Sequence, residues 1–262
     1  MIVLLLCIMK GFSLGLRETG TLPITAYSQN LREYARSNQT SGIRGTLSEI
    51  ALSGLIFVES GGDALSCYWA RFEKKEVGIF RFDTRVYLNS VEIPSANDQC
   101  IGAVVGKNPG SAVPACYDNN DLQEIVLDSD QLLPNIRSIL IKAFKYSEKK
   151  SHKNSYMQVL NLFYVCDNNL IQAIRKIETC QNRIICDAED KYFPFIWYVW
   201  GGDNKDLNIY KERFAKINSN SHFYLNTKTK EVIEYAPGFR DSARHTQGLK
   251  HDLIVPHISK VI

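Results

Sequence analysis

The feature that most constrains the fold of this chain is an apolar run that stops at a rigid loop. Residues 101–105, IGAVV, carry no polar side chain and are followed by GKNPGS over residues 106–111. Such a run, closed by glycine and proline, is typical of a strand buried on both faces of a parallel sheet. In open α/β sheets, ligands bind beyond the carboxyl ends of these strands. The loop therefore predicts a binding site, with the amide of Asn108 held beside Pro109.

Apolar runs that alternate with helical patterns extend this prediction along the chain. Continuous apolar strands separated by amphipathic helices predict an α/β fold, a three-layer α/β/α arrangement with a mainly parallel central sheet. Right-handed crossovers then bring the carboxyl ends of the strands to one edge. That edge gathers Asn108, Asn161 and the region of His245. The predicted strands are residues 100–105, 156–165, 193–200 and 222–225, and the predicted helices are residues 131–147, 168–177 and 206–217.

The first part of the chain is predicted to be an extension of this core. Residues 66–72 and 76–82 alternate in polarity around a charged turn at residues 73–75, which predicts a β-hairpin. Residues 28–37 show the pattern of a short helix. The expected organisation is one domain over residues 1–262, with a core at about 80–256 and residues 1–79 packed on it as an extension and hairpin.

Composition excludes some classes of protein and favours others. A net charge of +3 over 262 residues creates no global field that would indicate nucleic acid or membrane binding. Seven cysteines without a CxxC pair favour a reduced, cytoplasmic protein and disfavour a zinc or iron–sulfur site. The apolar segment at residues 2–9 has no preceding basic residue, which disfavours a secretion signal. No apolar run reaches the length of about 18 residues that a transmembrane helix needs.

Asn161 is the second candidate site residue. It interrupts the apolar strand segment VLNLF at residues 159–163. A buried amide without hydrogen-bond partners costs about 1–3 kcal/mol, so one interpretation is a core asparagine bonded to a neighbouring loop. The other is a reader of a nucleobase, because an amide offers a donor and an acceptor to a base edge. The predicted position at the same sheet edge as Asn108 favours the second interpretation.

A histidine-containing loop, RHTQGLKH at residues 244–251, follows the last predicted strand. A histidine among basic neighbours is often only part of a solvated face. Here His245 or His251 is also a candidate donor to a leaving group that becomes anionic, a role that lowers a reaction barrier. A second basic cluster lies at residues 142–153.

These motifs together resemble the uracil-DNA glycosylase superfamily. Residues 106–112, GKNPGSA, look like the first motif of its mismatch-specific branch. Residues 159–161, VLN, resemble its strand-borne asparagine, and residues 245–249 stand where the family has a His-Pro-Ser or Asn-Pro-Ser loop. The span of about 80–256 also resembles a related bacterial family of unknown function, which it matches at Asn161-Leu162-Phe163 and Trp200-Gly201. The chain departs from the pattern in two places: Thr246 replaces the motif proline, and the first loop has no activating aspartate.

The resemblance implies a DNA glycosylase that flips a base out of double-stranded DNA and hydrolyses its N-glycosidic bond. On this basis Asn108 orients water, Asn161 reads the base, and His245 or else His251 stabilises the departing base. The implied target is a modified base, glucosylated hydroxymethylcytosine in phage DNA, removed in antiviral defence. The expectation includes no metal, no cofactor and no membrane. The implied substrate-binding residues are Gly106, Lys107, Pro109, Gly110, Ser111, Tyr117, Asn161, Phe163, Thr246 and Gln247, and the implied phosphate contacts are Lys149, Lys150, Lys153, Arg244 and Lys250.

Three other functions stay open on sequence alone. One is a hydrolase or binder of free nucleotides on the same scaffold, which needs no grip on a duplex. Another is a module that binds DNA or protein without catalysis. The third is a cysteine nucleophile paired with His245, for which Cys100 and Cys116 are the candidates. Residues 106–111 are not a P-loop, because the lysine precedes the glycine-serine pair.

Overall fold

A computed structural model describes residues 66–112, 114, 121–127, 130–180, 184–202 and 204–262. These residues belong to one compact unit, Gly62–Ile262. The predicted helix at residues 28–37 and the candidate residues Tyr117 and Cys116 lie outside the described residues.

A single eight-stranded sheet organises this unit, with the strand order β4-β1-β2-β5-β3-β6-β7-β8. Strands β5, β3, β6 and β7 are mutually parallel neighbours, whereas β4, β1, β2 and β8 pair in antiparallel fashion at the two sides. The strands are β1 Ser66–Lys75, β2 Gly78–Val91, β3 Gln99–Gly106, β4 Leu122–Glu124, β5 Ser155–Asn161, β6 Ile196–Tyr198, β7 His222–Leu225 and β8 Val232–Ile233.

Four helices accompany the sheet in the described part of the chain. They are α1 Leu132–Ser147, α2 Leu170–Glu178, α3 Asn208–Lys211 and α4 Val255–Val261. Short 3₁₀ segments lie at Asp187–Asp190, Lys205–Leu207, Glu212–Lys216 and His251–Leu253.

The predicted α/β class is confirmed, but the sheet is mixed rather than mainly parallel. Strands β3, β5, β6 and β7 correspond to the four predicted strands and are parallel to one another. The difference comes from the hairpin of β1 and β2, which was expected to pack on the core. Instead β2 pairs directly with β5, from Thr84 opposite Val159 to Tyr87 opposite Tyr156, so the hairpin extends the sheet itself.

The helix predicted at residues 206–217 is only partly formed. Asn208–Lys211 is α-helical, and 3₁₀ segments flank it on both sides. The hydroxyl of Tyr198, on β6, donates to the carbonyl of Phe214 over 2.9 Å. In a helix over residues 206–217 this carbonyl would be one of the last four, which have no intrahelical partner. The bond from Tyr198 therefore ties the end of this segment to the sheet.

Alternating strand residues divide most of the core into two clusters, one on each face of the sheet, beside a small third cluster of Tyr87, Val91 and Tyr156. Val104 and Trp197 pack in a cluster with residues of α1 and α4. Their chain neighbours Val105 and Tyr198 pack in the other, with residues of α2 and the segment around Phe214. This alternation is the period-2 geometry of strands, and it explains why both faces of the parallel strands are apolar. The described helices include none long and apolar enough to span a bilayer.

Candidate functional site

An open cavity of about 350 Å³ lies beyond the carboxyl end of β3 and is called the Asn108 cavity below. Its lining residues are 108–111, 130–132, Asn168, His245 and Gln247. They come from four parts of the chain that are far apart in sequence. The structure thus brings the loop with Asn108 and the loop with His245 to one place, as the parallel strand arrangement predicted.

The amide of Asn108 is held in one orientation. Its Nδ2 donates to the backbone carbonyl of Asp167 over 2.6 Å, across the end of β5. Pro109 beside it is buried, and Gly110 adopts a left-handed φ of 72° that favours glycine. The amide oxygen makes no hydrogen bond among the described residues. It is the atom of Asn108 that is left to contact a ligand.

His245 is positioned by the strand ends rather than by its own loop alone. Ala243 forms bridges with Gly201, after β6, and with Asn226, after β7. The N–H of Arg244 then donates to the carbonyl of Leu225 over 2.8 Å. The chain is therefore tied to the carboxyl ends of two parallel strands immediately before His245.

The ring of His245 has a defined proton arrangement. Its Nδ1 accepts the N–H of Gln247 over 3.1 Å, so the proton of the neutral ring is on Nε2. Burial, and then the nearby charges of Lys107 and Arg244, lower the pKa of His245 below 6.5, while Asp130 opposes them. His245 is consequently a neutral N–H donor at physiological pH.

Asp130 is a functional candidate that sequence reasoning missed. Its side chain is 9% exposed at the wall of the Asn108 cavity. Oδ1 accepts the N–H groups of Leu132 (2.8 Å) and Leu133 (3.3 Å), the first two residues of α1. An aspartate just before an amphipathic helix is a common helix-start signal, and nothing at the sequence level distinguished this one as a site residue. Residues 106–111 contain no aspartate, as the sequence shows, but Asp130, just before α1, supplies a carboxylate to the same cavity.

A buried arginine lies behind this carboxylate. Arg81, on β2, is completely buried, and its Nη1 lies 3.7 Å from Oδ2 of Asp130. None of its three side-chain nitrogens has a hydrogen-bond partner among the described residues. Burial lowers the pKa of Arg81, and the charge of Asp130 opposes that shift. The positive charge of Arg81 therefore compensates the carboxylate of Asp130 from its buried side, while Asp130 still lines the Asn108 cavity.

Asn161 lies at the same sheet edge but not in the cavity wall. It pairs in register with Gly106 and is completely buried. Neither amide atom has a hydrogen-bond partner among the described residues, so none of them satisfies it as the interpretation of a core asparagine requires. A Cβ at Gly106 would lie 3.0 Å from Oδ1 of Asn161 and 3.4 Å from Leu132, a residue of the cavity wall. The unpartnered amide of Asn161 is thus buried beneath the wall of the Asn108 cavity.

Two other residues of the predicted site contribute to its surroundings. Lys107 is half-buried and extends toward β6, with its Nζ 3.6 Å from the position of a Cβ on Gly201. Burial lowers the pKa of Lys107. Thr246 is buried, 1% exposed, and its hydroxyl has no partner among the described residues.

The predicted lysine cluster is not brought to the site. Lys149, Lys150 and Lys153 lie between the end of α1 and the start of β5. Helix α1 begins at the cavity and runs for 16 residues, which is about 24 Å. The cluster therefore lies at the amino ends of the parallel strands, opposite Asn161. Of the predicted phosphate contacts, Arg244 and Lys250 lie elsewhere: together with Lys230 they line a neighbouring cavity.

Three more candidates lie away from the Asn108 cavity. Phe163 is buried in the core on the other face, edge to face with Tyr210 at 5.5 Å between ring centroids. His251 lies in a 3₁₀ segment outside the cavity wall, near Lys142, which leaves His245 as the histidine of the site. Cys100 lies near the start of β3, at the far end of that strand from His245, and burial raises its pKa. Cys100 is consequently not placed to act as a nucleophile with His245.

No cluster of three or more metal-ligating side chains occurs within the described ranges. Comparison of the chain with protein-family models, curated proteins and solved structures finds no match. The resemblance to DNA glycosylases therefore rests on the sequence motifs alone.

Proposed function

We propose that the protein is a DNA glycosylase that hydrolyses the N-glycosidic bond of a flipped, modified nucleotide. The observation that carries the proposal is the meeting of Asn108, Asp130 and His245 around one open cavity. An amide acceptor, a carboxylate and a neutral imidazole donor are the groups that such a hydrolysis uses. Helices on both faces of the four parallel strands support the three-layer, glycosylase-like architecture that the motifs imply.

The reaction breaks the bond between C1′ of the sugar and a nitrogen of the base. The bonding electron pair stays with the base, and water adds to C1′. Asp130 and the amide oxygen of Asn108 orient that water, and Asp130 accepts its proton. Nε2–H of His245 donates to the base as negative charge develops on it. A neutral imidazole can fill this role because its Nε2–H hydrogen-bonds the departing base while Nδ1 stays bonded to the N–H of Gln247.

Asn161 is proposed as the group that reads the base. Its donor and acceptor are both unused among the described residues, and its Oδ1 and Leu132 of the cavity wall both lie close to the Cβ position of Gly106, at 3.0 and 3.4 Å. Reading requires Leu132 to move aside when a base enters. A buried amide kept without partners is a cost to stability of about 1–3 kcal/mol, which a functional requirement explains. The proposed target remains glucosylated hydroxymethylcytosine in phage DNA, as part of antiviral defence.

The test is an abasic-site assay on matched DNA duplexes that carry cytosine, uracil, hydroxymethylcytosine or its glucosylated form. We expect abasic sites in the duplex with the glucosylated base and none in the plain cytosine duplex. Asn108→Ala and Asp130→Asn should each lower the rate by about 100-fold or more. The Asp130→Asn variant keeps an oxygen for the N–H groups of α1, so it removes charge without removing the helix cap.

Asn97→Ala is the matched control, because Asn97 is an exposed asparagine before β3, away from the cavity. It should retain the wild-type rate. The proposal is wrong if Asn108→Ala keeps full activity, or if no duplex is cleaved while a known glycosylase cleaves its own substrate. Release of a base from free nucleotides but from no duplex would favour the nucleotide hydrolase instead.

A further inference from the structure

A second cavity, of about 320 Å³, lies between the β7–β8 turn and the loop that carries His245. Three cationic residues line it: Lys230, Arg244 and Lys250. Its lining includes no aspartate and no glutamate. This basic cavity therefore concentrates positive charge on a protein whose net charge is only +3.

The basic cavity and the Asn108 cavity lie on the two sides of one loop, residues 244–248. His245 and Gln247 line the Asn108 cavity, while Arg244 and Gly248 line the basic cavity. Consecutive Cα atoms are 3.8 Å apart, so Arg244 directly precedes the proposed catalytic histidine at the shortest spacing a chain allows. A ligand that reaches from one cavity to the other has to cross only this loop.

The backbone that carries the cations is fixed before any ligand binds. The N–H of Arg244 donates to Leu225 over 2.8 Å, and the N–H of Lys230 donates to Asn226 over 2.9 Å. Nη2 of Arg244 also contacts the carbonyl of Gly248 at 3.5 Å, a long and weak bond that leaves its other N–H donors available. Little backbone ordering is then needed when an anion binds.

We infer that the basic cavity binds the phosphodiester backbone of the nucleic-acid strand beside the nucleotide that enters the Asn108 cavity. The inference rests on the proposed function for the position of that nucleotide. Arginine and lysine are the side chains that contact DNA phosphates, and such contacts position the strand without reading its sequence. The cavity lies beside the reacting position, so a strand held there keeps its target base at His245.

The test measures binding of a fluorescent DNA duplex by anisotropy over a series of salt concentrations. All proteins carry Asn108→Ala, so that turnover does not affect the measurement. We expect Lys230→Glu with Lys250→Glu to weaken binding at least tenfold. The slope of log affinity against log salt should become shallower by about 1.8, because each lost phosphate contact removes about 0.9. The neutral pair Lys230→Gln with Lys250→Gln should show the same loss in a milder form.

The chain offers a matched control at the other end of the sheet. Lys150→Glu with Lys153→Glu makes the same change in charge there and should leave affinity and slope unchanged. Equal weakening by both pairs would show a general effect of charge and would overturn the inference. Unchanged binding in the Lys230 and Lys250 variants would overturn it as well.

Two further arms separate this inference from the proposed function. A 5′-mononucleotide at the same phosphate concentration should not displace the duplex, and displacement would mean that the cavity binds single phosphates rather than a strand. Loss of binding in the Lys230 and Lys250 variants supports the strand contact even if wild-type protein releases no base. In that case the glycosylase proposal is wrong, and the inference that the basic cavity binds a nucleic-acid strand still holds.

Discussion

Nδ1 of His245 accepts the backbone N–H of Gln247 over 3.1 Å, and this one bond determines which ring nitrogen faces a ligand as a donor. The neighbouring charges then decide whether the ring stays neutral. Lys107 and Arg244 oppose protonation of the ring, while Asp130 favours it. Because these effects have opposite signs, each can be tested separately.

Removing the charge of Lys107 should raise the pKa of His245. In Lys107→Met, burial still disfavours the charged ring, so the value should rise and yet stay below 6.5. Asp130→Asn should lower it instead. NMR titration of the His245 ring measures both shifts without any substrate, and Lys150→Met serves as a distant control. Protonation of Nδ1 removes the acceptor of the Gln247 N–H and so frees the ring from its orientation. Base release by the wild type should therefore fall as pH drops through the pKa of His245, and Lys107→Met should move that fall to higher pH.

The pair of Arg81 and Asp130 should show strong energetic coupling. Asp130→Asn keeps the helix cap but leaves the fully buried guanidinium without a counter-charge, which should destabilise the protein by about 3–5 kcal/mol. Adding Arg81→Met should restore much of that loss. Denaturant unfolding of both single variants and the double variant gives the coupling energy. If the two single effects simply add, the pair does not interact across the 3.7 Å gap.

The orphan amide of Asn161 predicts a stabilising substitution. Asn161→Leu replaces two buried, unpartnered polar atoms with apolar ones and should raise the free energy of unfolding by about 1–3 kcal/mol. The same variant should lose base release, since the proposed reader is gone. Urea unfolding and the abasic-site assay measure the two effects. Destabilisation by Asn161→Leu would instead show that the amide has a partner, such as a bound water.

The contact between Gly106 and Asn161 predicts that even a methyl group is harmful at that glycine. In Gly106→Ala the new Cβ would lie 3.0 Å from Oδ1 of Asn161, which should cost about 1–3 kcal/mol. Gly202→Ala is the control, because the nearest atom to its Cβ would be 3.8 Å away. Thermal unfolding compares the two variants. The double variant with Asn161→Ala should recover stability, and a failure to recover would assign the cost to Leu132 instead.

Much of the parallel core was predictable from local pattern. β7 forms at His222–Leu225, as predicted, and α1 covers Leu132–Ser147 within one residue of the prediction. These segments are long or strongly apolar, so local preference and burial agree. The short strands β4 and β8 were not predicted, because two or three residues carry too little periodicity and depend on the neighbouring strand to form.

The sequence by itself determined the α/β class, the loop that ends β3, and the meeting of Asn108 with His245 at one edge, because parallel strands must align their carboxyl ends. Only the tertiary structure decided the mixed pairing of the sheet, the entry of Asp130 into the cavity over Arg81, the burial of Asn161 and the distant position of Lys149–Lys153. Each of these depends on which elements pack together and on the length and direction of α1. Contacts between residues far apart in the chain leave no periodic signal in the sequence, so packing alone establishes them.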